Sequence, residues 1–290
     1  MPVVVVENRV RLAHRSLRSR IGARLWWGYA LIVGFVLLCA AVPGLLMPYD
    51  PLEQVPEERF LGPFSRGSRG LYLFGTDELG RDVLSKVIEG ARLTVFIAFM
   101  ATLIGASIGV VLGMLAGYLG GWVDRVVMRL TEAQTAMPMF LIALLLLSTL
   151  GASIWNLIAV LPTYVWPTFA RLIRAETLRL RSTPFVEASV ALGCSTPRIL
   201  WRHLFPNLYG RVGVLTAISV GQVILSEAGL SFIGAGVQGE DVTWGLLIAG
   251  GRKYLTVAWW PSVFPGVFAG LTVFALNGLA RRFTAGEGRS

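Results

Sequence analysis

Side chains able to do chemistry are few in this sequence, and their spacing argues against most kinds of it. The two histidines, His14 and His203, stand too far apart to begin a zinc cluster. Cys39 falls in an apolar stretch and Cys194 in a polar loop, so they are read as small fillers rather than a disulfide or a metal pair. Lys86 and Lys253 are the only lysines, and neither follows the glycine spacing of a phosphate-binding P-loop. No GxSxG or HExxH occurs. The chain is therefore expected to hold no metal, no cofactor and no catalytic residue of its own.

What remains are isolated polar groups in apolar surroundings. Glu227, in SEAGLSFIG, is the most notable, because a carboxylate at mid-bilayer costs roughly 2.5–3.5 kcal/mol on insertion scales. It needs a hydrogen-bonding partner, water or a place on a substrate path. Gln134, Gln222 and Asn277 are weaker pathway candidates, each also explicable as an interhelical hydrogen bond, as is Asn156.

The densest polar constellation is TPFVEASVALGCSTPRILWRHLFPN, residues 183–207. Thr183 and Pro184 suit the N-cap and first position of a helix, since the hydroxyl can take a free N–H and proline has none. Phe185, Ala188, Ser189 and Leu192 share one face at helical spacing. Glu187 lies in the first turn, where negative charge suits the helix dipole. Gly193 can stop the helix in a positive-φ conformation, Thr196–Pro197 starts a second short helix, and Pro206 is expected to end it. Two readings of this pair stay open on these features: an amphipathic pair on the lipid headgroups, or a shaped surface for a partner.

The elements that must position these groups cross a membrane. Hydrophobic residues make up 54% of the 290 residues and charged ones 15%, against about 25% charged in globular domains. Six apolar spans are expected, at 25–47, 92–118, 130–150, 153–173, 208–236 and 259–280, making an all-α polytopic membrane protein. The first follows a basic arm, 1–24, and is too long for a signal-peptide core, so it is read as a retained span. Segment 48–91 carries eight acidic and five basic side chains, whereas 174–207 and the tail 281–290 are basic. The positive-inside bias puts the arm, the 174–207 loop and the tail in the cytosol and 48–91 outside, so both termini are cytosolic. That asymmetry also accounts for the net charge of +9 without nucleic acid.

Within the second span Ala101, Gly105, Gly109, Gly113 and Gly117 recur every four residues. Such a stripe lets a neighbouring helix approach closely, within the chain or from a partner subunit. Gly213, Ala217 and Gly221 repeat the device more weakly.

The spacing Glu187-Ala188-Ser189-x3-Gly193, continuing to Pro206-Asn207, resembles the EAA loop of binding-protein-dependent ABC importer permeases. FGTDELGRDVLSKVIEGAR (74–92), GMLAGYLGGWVDRVVMRLTE (113–132), SEAGLSFIGAG (226–236), Trp244-Gly245 and AWWPSVFPG (258–266) narrow the resemblance to the C-type permease of dipeptide, oligopeptide and nickel importers. Ser189 replaces the second Ala of the motif, and Glu132 stands where the family commonly has Asp. The likeness covers about 26–280, leaving the basic arm uninterpreted.

The resemblance implies a type I ABC importer permease (MetI-like) fold in the bacterial inner membrane, with a core at 92–280 and a cytosolic coupling helix. Its implied partners are a homologous B-type permease, one or two cytosolic ATPase subunits that bind the ATP and Mg, and an extracytoplasmic solute-binding protein. Glu187, Ala188, Ser189, Gly193, Arg198, His203, Pro206 and Asn207 would then serve ATPase coupling. Asp77, Gly80, Arg81 and Asp82 would either help dock the binding protein or simply fold the outer segment. Peptides are the first expected substrate, then nickel or other small solutes. A channel or scaffold subunit without ATP coupling is the alternative from another class, and an intramembrane enzyme lacks a supporting constellation.

Overall fold

The computed structural model describes residues 26–237 and 241–287, with side chains through Arg281. The expectations for the arm 1–24, for His14 and for Arg289 lie outside those residues.

Helix α1 spans Trp26–Ala41 and gives way at Pro43 to a one-turn helix, α2, Pro43–Leu46. The continuous span expected at 25–47 is thus interrupted, because proline cannot donate the next helical hydrogen bond. A small cap follows. It contains an antiparallel hairpin, β1 (Ser65–Gly67) and β2 (Gly70–Tyr72), and a single bridge between Thr76 and Asp82. Among the described residues the fold is therefore helical with one minimal sheet.

Asp82 then caps α3, Val83–Leu119, its carboxylate accepting from the Ser85 amide at 2.8 Å. The helix starts nine residues before the expected 92, since the cap residue lies that far upstream. It ends at Gly120 and Gly121, whose φ values of +67° and +58° turn the chain sharply. Next come α4 (Gly121–Ala136) and α5 (Met139–Leu150), bent by 87° across Met137–Pro138. A straight span at 130–150 is not formed, because the residue before a proline is pushed out of the helical region: Met137 has ψ 135°. Likewise the span expected at 153–173 is two helices, α6 (Ile154–Val160) and α7 (Pro162–Arg181).

Helix α8 is Pro184–Ala191, and α9 runs from Thr196 to Ile233 over 38 residues. Pro206 was expected to separate a short helix from the fifth span, and it does not. A π-turn over Ile199–Leu204 widens the backbone just before it, with the Phe205 amide bonding to the Leu200 carbonyl. Such a turn carries the helix past a residue that lacks an N–H. The chain ends in α10 (Trp244–Gly251) and α11 (Trp260–Glu287).

Among the described residues, α3, α9 and α11 are each long and apolar enough to cross a membrane, and α4–α5 makes a fourth if counted as one bent span. Helix α1 is shorter than a full span among the described residues, and α7 carries Arg171, Arg174, Glu176, Arg179 and Arg181, so neither enters this count. The core sits where α3 packs on α7 and where α9 packs on α11 and α10. Many large apolar side chains face outward, among them Leu31, Phe99, Leu103, Leu145, Trp155 and Phe274, as expected of surfaces that meet lipid or another subunit.

Candidate functional site

The seam between α3 and α7 is the frame on which the rest is mounted. A Cβ added at Gly105 would lie 2.6 Å from Val165 Cβ, and at Gly109 2.5 Å from the Trp166 carbonyl oxygen. At Gly113 it would lie 2.7 Å from the Ala170 carbonyl, and at Gly117 2.7 Å from Thr177 Cβ. All four glycines thus line the same face of α7, turn after turn. Gly213 has open space around it, whereas Gly221 lies against Val273 of α11.

From the end of this seam the chain turns into an elbow. Thr183 does not cap α8 as expected; its hydroxyl donates to the Leu180 carbonyl at the end of α7 instead. At the other end Gly193 has φ +74°, its amide bonds to the Val190 carbonyl at 2.9 Å, and the Cys194 amide bonds to Ser189 O at 3.1 Å. This is a Schellman ending, and it needs the left-handed residue that glycine supplies at little cost.

Of the face shared by Phe185, Ala188, Ser189 and Leu192, only Ser189 is buried. Val186 and Ser189 point inward, Ser189 Oγ donating to the Phe185 carbonyl, while Phe185, Val190 and Leu192 are exposed, Leu192 by 84%. The helix packs on α7 and on the π-turn, leaving Phe185 and Leu192 exposed on one flank of the buried strip and Val190 on the other. Glu187 and Ala188 are exposed as well, and Glu187 has no hydrogen-bond or ion-pair partner among the described residues. Arg198, Pro206 and Asn207 are exposed and His203 is half-buried; the Asn207 side-chain amide donates to the His203 carbonyl at 2.6 Å. Helix α8 thus presents an open carboxylate together with exposed apolar side chains.

Two ion-pair ties, not anticipated from the sequence, connect α7, the helix that leads into the elbow, to α4 and α9. Arg174 of α7 holds Asp124 of α4 in a two-pronged contact, one prong at 2.5 Å. Glu176 of α7 accepts from Arg211 of α9 and, at 3.1 Å, from Arg179. The partners lie 50 and 35 residues apart, so helical spacing gives no hint of them.

The break at Met137–Pro138 opens a cavity of about 370 Å³ against α7. Gln134 and Thr135 line one side; Thr163, Tyr164, Thr168 and Arg171 line the other. Pro167, inside α7, also lines it and denies the Thr163 carbonyl its usual helical donor. Unspent backbone groups are tolerated at membrane depth where they face such a polar cavity.

The other pathway candidates are not brought to this cavity. Gln222 is exposed on α9, and the Asn277 amide donates to the Val273 carbonyl of its own helix at 2.8 Å. Glu227 is 1% exposed: its Oε1 accepts from Ser231 at 2.8 Å and Thr243 at 2.9 Å, fastening α9 to the start of α10. In this conformation it is a buried tie rather than a lining group.

The candidate docking residues of the cap are mostly inward too. Asp77 is 3% exposed and accepts from the Leu79 and Arg81 amides, from Arg81 Nε at 2.8 Å and from Lys86 Nζ at 2.9 Å. Burial pushes its carboxyl up, but Lys86 and Arg81 outweigh that and hold it below the usual carboxylate range. Asp82 is 2% exposed, and burial raises its carboxyl despite the bonds from Ser85. Gly80 turns at φ +73°, where a Cβ would collide with the Val55 carbonyl. These residues fold the cap, and Trp260 ties it to α11 by donating to the Thr76 carbonyl at 2.9 Å. In this structure Asp77 and Asp82 turn their side chains inward, and Gly80 contributes a backbone turn.

Comparison with known proteins agrees with this layout. Residues 109–286 match the family described as binding-protein-dependent transport system inner membrane component. The chain is 37% identical over 276 residues to a Sinorhizobium fredii protein named "Probable peptide ABC transporter permease protein", covering 95% of this chain and 90% of that one. It is 35% identical to the dipeptide transport system permease protein of Bacillus subtilis, covering 85% and 76% of the two chains. Among solved structures, an inward-facing methionine ABC transporter shares the fold, with a TM-score of 0.57 at 18% identity, over 70% of this chain and 96% of that one.

Proposed function

Given that this chain belongs to the binding-protein-dependent transport system inner membrane components and is a permease subunit of an inner-membrane ABC importer, we propose that it forms a path for peptides driven by separate ATPases. A homologous B-type permease would supply the other half of that path, and an extracytoplasmic solute-binding protein would deliver the substrate. ATP and Mg would be bound by the partner ATPase subunits, because this sequence offers no P-loop. Both termini would face the cytosol, with the elbow inside and the cap outside.

The observation that carries this reading is the elbow: a short helix with apolar side chains uncovered on both flanks of a narrow buried strip, an unpaired Glu187 and a glycine-set end. An ATPase groove would cover Phe185, Val190 and Leu192 and give Glu187 a partner. Displacement of α8 would then pass directly into α7, since only Ser182 and Thr183 separate the two helices. The glycine seam makes α3 follow α7, while the Asp124–Arg174 and Glu176–Arg211 ties carry the movement to α4 and α9. Because α4 meets α5 at the Pro138 break, such movement would reshape the cavity holding Gln134 and Arg171. That is rigid-body alternating access worked from one handle.

Dipeptide uptake and ATP hydrolysis measured together on the reconstituted complex test the reading. Glu187→Ala is expected to leave the complex inserted and assembled while uptake falls at least tenfold relative to ATP turnover. Undiminished uptake with unchanged coupling in this variant would overturn the assignment of α8.

A further inference from the structure

A groove of about 290 Å³ lies between α3 and α9, two of the helices long enough to cross a membrane. Nothing in the coupling described above uses it. Phe99, Leu103 and Val111 line it from α3, and Trp201, Phe205 and Val212 from α9. Phe99, Leu103, Val111 and Trp201 all stay exposed. The two hydroxyls in the lining are already engaged within their own helices. Ser107 donates to the Leu103 carbonyl at 2.7 Å and Thr216 to the Val212 carbonyl at 2.8 Å. Water entering would meet no free donor, and a space of this kind takes hydrocarbon instead.

The end of the groove nearest the elbow has a different character. Trp201 sits in the π-turn, with its ring edge-on to Phe205 at 5.2 Å. Arg198 and Arg202 flank it in sequence; both are exposed, and neither has an acidic partner among the described residues. Tryptophan and arginine together mark the level where hydrocarbon gives way to headgroups. At the far end, by Phe99 and Thr216, no charged side chain enters the lining. The groove is thus polar in one direction only, matching a molecule with an anionic head and an apolar tail.

Its length agrees. From Phe99 to Val111 it runs about 18 Å along α3 at 1.5 Å per residue, close to the roughly 15 Å depth of one leaflet's hydrocarbon. A whole helix, about 10 Å across, could only lie over this space, whereas an acyl chain can enter it.

We infer that the α3–α9 groove binds an anionic phospholipid of the cytosolic leaflet, one acyl chain lying along Leu103 and Ser107 and the phosphate held by Arg198 and Arg202. Basic side chains beside a gap between spanning helices suit such a headgroup. The leaflet, though not the site, rests on the reading that places the elbow in the cytosol. A lipid bound here touches the first turns of α9 and the middle of α3 at once, so it would hold the elbow's exit helix against the glycine-seam helix.

Heavy-atom quenching of Trp201 tests this. The assembled permease complex is placed in phosphatidylcholine nanodiscs without ATP or substrate. A minor share of the lipid is either phosphatidylglycerol or phosphatidylcholine with brominated acyl chains. The difference in emission between wild type and Trp201→Phe isolates the signal of Trp201. Brominated phosphatidylglycerol is expected to quench it roughly threefold or more over brominated phosphatidylcholine at the same share. That preference should vanish in the Arg198→Gln, Arg202→Gln double variant. Ser107→Phe, which fills the groove from an exposed position, should lower quenching by both lipids. Inorganic phosphate at constant ionic strength should leave the quenching unchanged. Equal quenching by the two lipids would overturn the anionic ligand. Absence of quenching by either would show the groove covered by the partner permease, and relief by phosphate would show a free-anion site; each overturns the proposal. Binding is read here without turnover, so its failure would leave the transport reading to the uptake assay.

Discussion

Glycine serves the α3–α7 seam and the α8 elbow for opposite reasons. At Gly109 the backbone is ordinary helix and space is absent: a Cβ would lie 2.5 Å from Phe169 Cβ and from the Trp166 carbonyl. At Gly193 space is open, with nothing within 4 Å, but φ is +74°. One position restricts volume and the other restricts conformation. The seam is accordingly a close-packed contact, and the elbow a shaped but uncovered surface.

Substitutions can set these two demands against each other. The largest effect is expected for Gly109→Leu, which puts a side chain where two backbones meet. Overpacking costs about 1–3 kcal/mol and occasionally more, and here a carbonyl cannot rotate away, so assembled complex on size-exclusion chromatography should fall to a small fraction of wild type. Gly193→Val should assemble normally yet lose most uptake, since a left-handed β-branched residue costs roughly 1–2 kcal/mol and re-aims the turn. Gly193→Asn should retain most uptake, because asparagine tolerates that conformation, whereas Gly109→Asn should fail like the leucine variant. If asparagine behaves alike at both positions, the distinction between volume and conformation collapses.

Smaller effects should follow at the ties. Asp124→Asn removes the negative charge and one of the two acceptors that Arg174 meets, and a several-fold drop in transport per ATP hydrolysed is expected with assembly preserved. In the cap, the folded value of Asp77 is depressed, so its stabilisation is present above the unfolded value near 3.9 and is lost as pH falls through the folded value. Asp82, raised by burial, works the other way. Hydrogen exchange at the Leu79 and Arg81 amides should therefore accelerate only below about pH 4, and Asp77→Asn should abolish that acid step. The smallest change is expected at Thr183→Ala, within about 0.5 kcal/mol by thermal unfolding, because its hydroxyl caps no amide of α8 and meets only one carbonyl at the end of α7.

Local rules visible in the sequence fare unevenly against this architecture. The four-residue recurrence of Gly105 to Gly117 can be read directly, but not that α7 is the helix it faces, since that pairing is long-range. Gly193 reads as a helix stop because one residue type meets the requirement. Pro138 and Pro206 look alike in sequence and act differently: one breaks the chain by 87°, and the other is absorbed by a π-turn upstream. Which outcome follows depends on neighbouring packing, to which a local pattern is blind. Phe185 and Leu192 share a helical face, yet Val186 is the residue that goes inside, because α8 is too short to bury more than a narrow strip. The charges of Asp124, Arg174, Glu176 and Arg211 are plain in the sequence, but their pairing is set by helix placement alone.

The π-turn before Pro206 has a mechanical consequence. By keeping α9 unbroken over 38 residues, it yields a rod of about 57 Å at 1.5 Å per residue. Its first turns adjoin the elbow, and near its far end Glu227 is fastened to Thr243. A tilt of only about 5° at the elbow would sweep the far end through about 5 Å, roughly one helical turn. The proline that looked like a stop thus sits within a lever, and the leverage comes from the residues that keep it from hinging.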